Sequence, residues 1–333
     1  MCVVTMIEQN ISLHDKNWFG TGGPARYFSQ PIDGSKFSAA LAFAREQGLD
    51  IFVLGQGANI LVADHGFDGL VIRPALKQLV CNLAESTVTA GAGVGLHELI
   101  DYCLQNGLVG LEEFSGIPGT VGGSVFINVH YFKFLLSHFL VSAEVAHRAT
   151  GVISTVDNAW FNFGYNQSTL LAGDFYLVSA TFKLKPADAF AVAYAQGRRD
   201  EIIRHRNQRY PSARTCGSFF RNFHDHEITV PINGKKIPFI AYYLDKIGIK
   251  GELRVGNAVV SYQHANMIVT LDGATSSDVV ALARLMQEKV FDSFGLVPQS
   301  ECQFIGFSEY PLYQDLPSKS HHSKSLYDSQ PSN

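Results

Sequence analysis

The sequence predicts a mixed fold of strands and helices, α/β or α+β, and three observations predict it. Short β-branched runs alternate with amphipathic helical stretches, glycine clusters follow directly on two of the strand-like runs, and no fixed period repeats along the chain. Neither an all-helix nor an all-β architecture gives that alternation. The 333 residues suffice for two or three domains and a sizeable core.

Residues 51–54 (IFVL) read as a buried strand ahead of GQGAN. Residues 86–90 (STVTA) read as another ahead of GAGVG, followed by a helix over LHELIDYCLQNGL. The clearest helix is 276–294, where Val279, Leu282, Ala283, Met286, Val290 and Phe294 recur at three- and four-residue spacing. Ser276 is its expected cap, Asp278 suits its first turn, and Gly295 ends it. An arginine-rich polar stretch, 186–212, separates the glycine-rich half from a compact last third and puts a domain boundary near residue 200. The serine-rich, aperiodic tail from about Pro311 is expected to be disordered.

A net charge of −4 with 17% charged residues gives no basic field for nucleic acid. The five cysteines (Cys2, Cys81, Cys103, Cys216, Cys302) are scattered and form no CxxC pair. That argues against a disulfide framework or a zinc site and for a reducing, cytoplasmic setting. The start, MCVVTMIEQN, lacks a leader's basic and apolar regions, and the most apolar stretch is too short to span a bilayer, so no membrane is expected. HDHE at 224–227 reads as a polar loop and HELID at 97–101 lacks the second histidine of HExxH, so no metal is predicted.

Neither GQGANI (55–60) nor GAGVGL (91–96) completes a GxGxxG fingerprint, and no GxxxxGK[ST] occurs. Any one such loop is ordinary turn chemistry. Three of them in one half (GTGGPA at 20–25, GQGAN at 55–59, IPGTVGG at 117–123) instead suggest bare backbone amides lining a large phosphate-bearing ligand. In the last third, Ser218 sits between glycine and two phenylalanines, where a hydroxyl either bonds locally or does chemistry, and Glu301 precedes a β-like run.

Seven ordered segments between Asn17 and Gly306 resemble the UDP-N-acetylenolpyruvoylglucosamine reductase family: NWFGTGGPARYF, VLGQGANILVADHGFDGLVI, GLEEFSGIPGTVGGSVFIN, FGYNQS, CGSFFRN, IGIKGELRVGNAVVSYQHANMIV and FGLVPQSECQFIG. The short spacing from Ser168 to Ser218 is similar to the subclass lacking a tyrosine-bearing lid loop. The resemblance implies an α+β architecture. A vanillyl-alcohol-oxidase (PCMH-type) FAD-binding domain would cover 14–200, in subdomains of about 14–75 and 76–200. An α+β substrate domain would follow over 201–310, then a disordered tail over 311–333.

It further implies a monomeric enzyme of peptidoglycan precursor synthesis, in which NADPH reduces FAD and the flavin hydride passes to UDP-N-acetylglucosamine enolpyruvate. FAD would be held by Gly55, Gln56, Gly57, Ala58 and Asn59, by Ile117, Pro118, Gly119, Thr120, Gly122 and Gly123, and by Asn128. Ser218 falls on the family's proton donor and Glu301 on its last-strand glutamate, while Asn222 and His264 fall in substrate-binding motifs. That chemistry is sound physically, because an acceptor double bond conjugated to a carboxylate needs preorganised donors and a poised proton.

The chain also departs from the family pattern. Asn166, in GYNQS, stands where an arginine is expected at the catalytic centre, a loss worth roughly 3 kcal/mol of transition-state stabilisation. NVHYFK (128–133) replaces NAGAYG, which makes Lys133 a candidate replacement cation, and Ala58 replaces a serine. These changes raise the alternative of a weakened or non-catalytic flavin- or UDP-sugar-binding descendant.

Overall fold

The computed structural model describes residues 7–228, 231–232 and 234–316; the predicted tail beyond residue 316 lies outside the described residues. Two sheets build the first two-thirds. The first has four strands in the order Ile7–Ser12, Pro24–Ser29, Phe67–Ile72, Ile51–Val53; its first pair is antiparallel and the others are parallel. Parallel neighbours need a crossover, and helix α1 (Gly34–Glu46) supplies it. Asp33 caps α1 by accepting from the Lys36 N–H at 2.8 Å, and Phe37, Ala40, Leu41 and Ala44 form its buried stripe.

The second sheet is antiparallel throughout, in the order Ile153–Asp157, Leu140–His147, Phe175–Lys183, Thr87–Gly91, Leu79–Asn82. Helices α2 (Leu96–Gln105) and α3 (Val121–Phe126) pack on it. One continuous core joins Phe37, Leu70 and Ile72 of the first unit to Val88, Ala180, Phe182 and Leu99 of the second, so the two halves of this region share their apolar interior.

The polar stretch read as a separator is a helix, α4 (Ala189–Arg209), capped by Asp188. It therefore runs straight through the boundary expected near residue 200. It buries only Ala195 and Ile202 and ties itself down through charge: Arg198 to Glu113 at 3.0 Å and Arg199 to Asp101 at 2.9 Å.

The last third has its own core. Strands Arg254–Val255, Ala258–Val260 and Ile268–Thr270 pair antiparallel, and α5 (Ile240–Lys246) and α6 (Ser276–Phe294) pack on them together with Phe219 and Phe220. Helix α6 keeps the predicted bounds, but its cap is Thr275 in a capping box with Asp278, not Ser276. Ser276 instead donates to the Val62 carbonyl, while the Asp64 carboxylate accepts from the Ser276 and Ser277 N–H groups. Residues 311–313 pack on this helix rather than starting a loose tail: Tyr313 bonds Gln287 and Glu288, and Leu312 is buried.

The chain then returns to its beginning. Gln303–Ile305 pairs parallel with Ile60–Val62, directly after the GQGAN loop. This pairing sets Glu301 beside the glycine-rich half.

Candidate active site

Two of the three glycine-rich segments face a common cavity of about 640 Å³, the size of a cofactor or ligand site. Residues 55–59 and 117–120 line it together with Gly122, Gly123 and Gly93. The loops are tied to each other, since the Gly119 N–H donates to Gln56 Oε1 at 3.0 Å. Gly57 has φ +68°, and a Cβ there would lie 2.5 Å from the Lys16 carbonyl oxygen, so no other residue fits. Gly122 is pressed against the Ala92 carbonyl, which a Cβ would meet at 3.0 Å. Thr120 caps α3 by accepting from Gly123 N–H.

Arg73, Lys77 and Arg148 also line the cavity, and among the described residues no carboxylate does. Phe52, Phe126, Phe175, Tyr176 and Phe304 complete its walls. Aromatic walls, exposed backbone amides and three cations suit a dinucleotide with flat rings and a diphosphate. The three cations gave no motif: Arg73 and Lys77 lie four residues apart in an ordinary loop and Arg148 is far along the chain.

Two segments read from sequence lie away from this lining. GTGGPA does not line this cavity; its Gly22 and Gly23 pack against Val62 and against the backbone of Asp64 and Gly66, with no space for a Cβ. Asn128 is also absent from the lining. Its amide donates to the Gly164 carbonyl at 3.1 Å and accepts from the Ser137 N–H at 3.1 Å, which fixes the backbone at φ +48°. Both are structural positions where close packing of backbone calls for the same residue types as a ligand would.

A second group of residues gathers where the last third meets the cavity. Gly164 and Gln167 exchange backbone hydrogen bonds, which puts Tyr165 and Asn166 at the tip of a tight turn, with Asn166 at φ +52°. The Asn166 amide lies close enough to the Glu301 carboxyl to favour its charged form. Burial pushes Glu301 up to about 7, and the Asn166 contact only partly offsets it. An arginine at 166 would have held Glu301 ionised; asparagine leaves it protonatable near neutral pH. The Asn166 Oδ1 is buried without a partner among the described residues.

Ser218 and Glu301 arrive on adjoining segments. The Glu301 N–H donates to the carbonyl of Phe219, and Phe220 bridges Ser300. Asn266 pins the serine's segment from the other side, accepting from the Phe220 N–H and donating to its carbonyl. Among the described residues the Ser218 hydroxyl makes no hydrogen bond, so the local-bond alternative does not hold.

Tyr165 lies beside Asn222, Glu301 and Arg221, and the His130 ring meets it at a tilt with centroids 4.8 Å apart. Burial first, then Glu301, raises the Tyr165 phenol above its usual range. Arg221 is forked onto Glu227 at 2.6 and 2.8 Å, which draws Glu227 down to about 2. Glu227 belongs to HDHE, read from sequence as a polar loop; an arginine six residues upstream was the available signal. The His264 ring meets Tyr210 at a tilt with centroids 5.4 Å apart, its Nδ1 accepts from the Asn266 N–H, and burial lowers its pKa. Lys133 is exposed over Phe134 and takes no place in this group.

Comparison with known proteins agrees with this two-part layout. A profile of FAD-binding domains matches residues 25–157, and one of the UDP-N-acetylenolpyruvoylglucosamine reductase C-terminal domain matches 208–305. A UDP-N-acetylenolpyruvoylglucosamine reductase of Solibacter usitatus is 33% identical over 299 residues, covering 86% of this chain and 93% of that protein. Its counterpart in Lactiplantibacillus plantarum is 34% identical over 302 residues, 90% of this chain and 94% of that one. The crystal structure of UDP-N-acetylenolpyruvylglucosamine reductase from Thermus caldophilus superposes with a TM-score of 0.73 at 29% identity, covering 90% of this chain and 99% of the other. With both domains matched and about nine-tenths of its length shared with such relatives, the chain belongs to the UDP-N-acetylenolpyruvoylglucosamine reductase family.

Proposed function

We propose that the protein is the FAD-dependent reductase that converts UDP-N-acetylglucosamine enolpyruvate to UDP-N-acetylmuramate with NADPH, a step of peptidoglycan precursor synthesis. The observation that carries the reading is the pairing of an uncommitted Ser218 hydroxyl with a glutamate, Glu301, held at about 7, beside a cavity with the chemistry of a dinucleotide site.

The cavity residues fit FAD. The tied loops at Gln56 and Gly119 and the close approach at Gly57 and Gly122 would hold it through backbone, with Arg73, Lys77 and Arg148 balancing its diphosphate. Bound there, FAD supplies hydride chemistry between NADPH and the acceptor double bond. The protein's own work is orientation and proton supply. Ser218 has a hydroxyl proton free to give to the substrate carbon left electron-rich. Glu301, partly neutral near pH 7, can donate a hydrogen bond to the developing charge, and its acidity lies close to the working pH, where general acids are most effective. The Asn166 amide beside the Glu301 carboxyl partly offsets the effect of burial on its acidity.

A non-catalytic binding descendant is not favoured, because the chain matches reductases over about nine-tenths of its length and in both domains. Anaerobic reduction of the purified flavoprotein by NADPH, followed by addition of the enolpyruvyl sugar, tests the function. Reoxidation of the flavin supports it; a flavin that stays reduced refutes it.

A further inference from the structure

Gln287 lies in the middle of α6, fully buried, and its side-chain amide is completely used. Its Nε2 donates to the Pro298 carbonyl at 2.7 Å and to the Tyr313 carbonyl at 2.8 Å, and its Oε1 accepts from the Tyr313 N–H at 3.0 Å. Three parts of the chain therefore meet on one side chain: α6, the stretch between α6 and Glu301, and a strap of residues 306–314 that follows the last strand. An apolar residue would fill this core position with no polar group to satisfy, so what the glutamine adds is the tie itself.

The stretch it ties is the one that delivers the acid. Residues 296–299 form neither helix nor strand, so no regular ladder of backbone bonds fixes their path. Pro298 has no N–H to give, and its carbonyl is held by Gln287. Just beyond it, the Gln299 carbonyl accepts from the Arg221 N–H at 2.9 Å and the Glu301 N–H donates to the Phe219 carbonyl at 2.9 Å, which joins this stretch to the segment of Ser218. The strap is anchored on the other side: Arg284 Nε donates to the Pro311 carbonyl at 2.6 Å, Leu312 is buried, and the Gln299 amide reaches the Gln314 carbonyl at 3.3 Å. The strap also lays the Tyr310 ring edge-on against Phe304, a wall of the cavity, with centroids 5.4 Å apart.

We infer that Gln287 is a positioning residue for the reaction: by holding Pro298 against the strap, it sets where the Glu301 carboxyl and the Ser218 segment stand relative to the cavity; the inference rests on the reductase reading above. Its amide is spent on main chain, so it acts only through the segments it joins. Misplacing a reacting group by about 1 Å is enough to slow a reaction about a hundredfold.

The test compares the flavoprotein, wild type and Gln287→Met, in the two half-reactions; methionine keeps the bulk of the side chain and makes none of its bonds. Reduction of the flavin by NADPH should be unchanged, and reoxidation by the enolpyruvyl sugar should fall roughly ten- to a hundredfold. The pH at which reoxidation falls off should also move lower, because a loosened segment admits water to Glu301 and weakens the burial that raises its pKa. The other titratable groups around Glu301 lie to either side of that window: Tyr165, Tyr310 and Cys302 are raised above their ordinary values, the Arg221–Glu227 pair is held in its charged form, and His130 is lowered. Reduced stability with both half-reactions and the pH profile as in wild type overturns the inference, and so does an equal loss of both half-reactions. Wild-type flavin that NADPH reduces and the enolpyruvyl sugar does not reoxidise overturns the reductase reading. The change in unfolding stability between pH 5 and pH 8, which needs no substrate, then decides the inference: a smaller change in Gln287→Met supports it and the same change overturns it. A chain ending at Leu312, which removes both Tyr313 bonds, is held to the same outcomes if Gln287→Met does not accumulate with flavin.

Discussion

The side-chain amide of Asn59 donates a hydrogen bond to the main-chain carbonyl of Glu301 at 3.2 Å, across 242 positions of sequence. The Asn59 carbonyl in turn accepts from the Gln303 N–H at 3.1 Å. The loop that lines the cavity and the strand that carries the acid are therefore fixed to one another, and the strand pairing of Gln303–Ile305 with Ile60–Val62 extends the junction. Positioning of the acid relative to the cavity depends on that junction.

Asn59→Ala removes one of its bonds and leaves a partly buried carbonyl without its partner. The expected cost is about 1–2 kcal/mol of stability. Urea unfolding followed by tryptophan fluorescence measures it, and retained flavin after gel filtration measures the effect on the loop. A variant as stable as wild type, with full flavin content, would show that Asn59 does not join the two segments.

Gly57→Ala forces a side chain into a left-handed backbone position and onto the Lys16 carbonyl at 2.5 Å. The conformational strain alone is roughly 1–2 kcal/mol, and the overlap adds to it by displacing the loop. The variant is expected to purify with little or no flavin. Gly48→Ala, with a similar φ of +63° but nothing within 4 Å of the added Cβ and no place in the cavity lining, is the control that should retain flavin.

Glu301 makes folding stability depend on pH in a definite direction. Its folded pKa, about 7, lies above the ordinary 4.5, so between these values the folded state holds a proton that the unfolded state has released. Stability contributed by the neutral acid is complete below about pH 4.5 and is lost as pH rises to about 7, in total on the order of 3 kcal/mol. Glu301→Gln should flatten this part of the profile and be the more stable protein at pH 8. Denaturation at pH 5 and pH 8 distinguishes the two; parallel profiles for wild type and variant would mean that the carboxyl is not the group responsible.

Much of this molecule could be read from sequence where the physical demand is periodic or local. Helix α6 is one case, with its apolar spacing and closing Gly295. Gly57 and the IPGTVGG loop are another, because a backbone that meets a ligand or turns back on itself calls for bare glycine. The same demand misled the reading at GTGGPA, where glycines admit other backbone and not a ligand, and at Asn128, whose amide serves the fold. Arg73, Lys77, Arg148 and the Arg221–Glu227 pair were not legible, because isolated charges acquire meaning only when the fold brings them to one wall. The polarity around residue 200 that suggested a boundary belongs to a solvated helix, α4, because polarity marks linkers and solvated helices alike.

The most direct test of the account compares the two half-reactions in wild type and Ser218→Ala. Reduction of the bound flavin by NADPH should proceed at the same rate in both, and reoxidation by the enolpyruvyl sugar should fall roughly a hundredfold or more in the variant, since only that half needs the proton. Equal loss of both half-reactions, or reoxidation at the wild-type rate, would contradict the role assigned to Ser218.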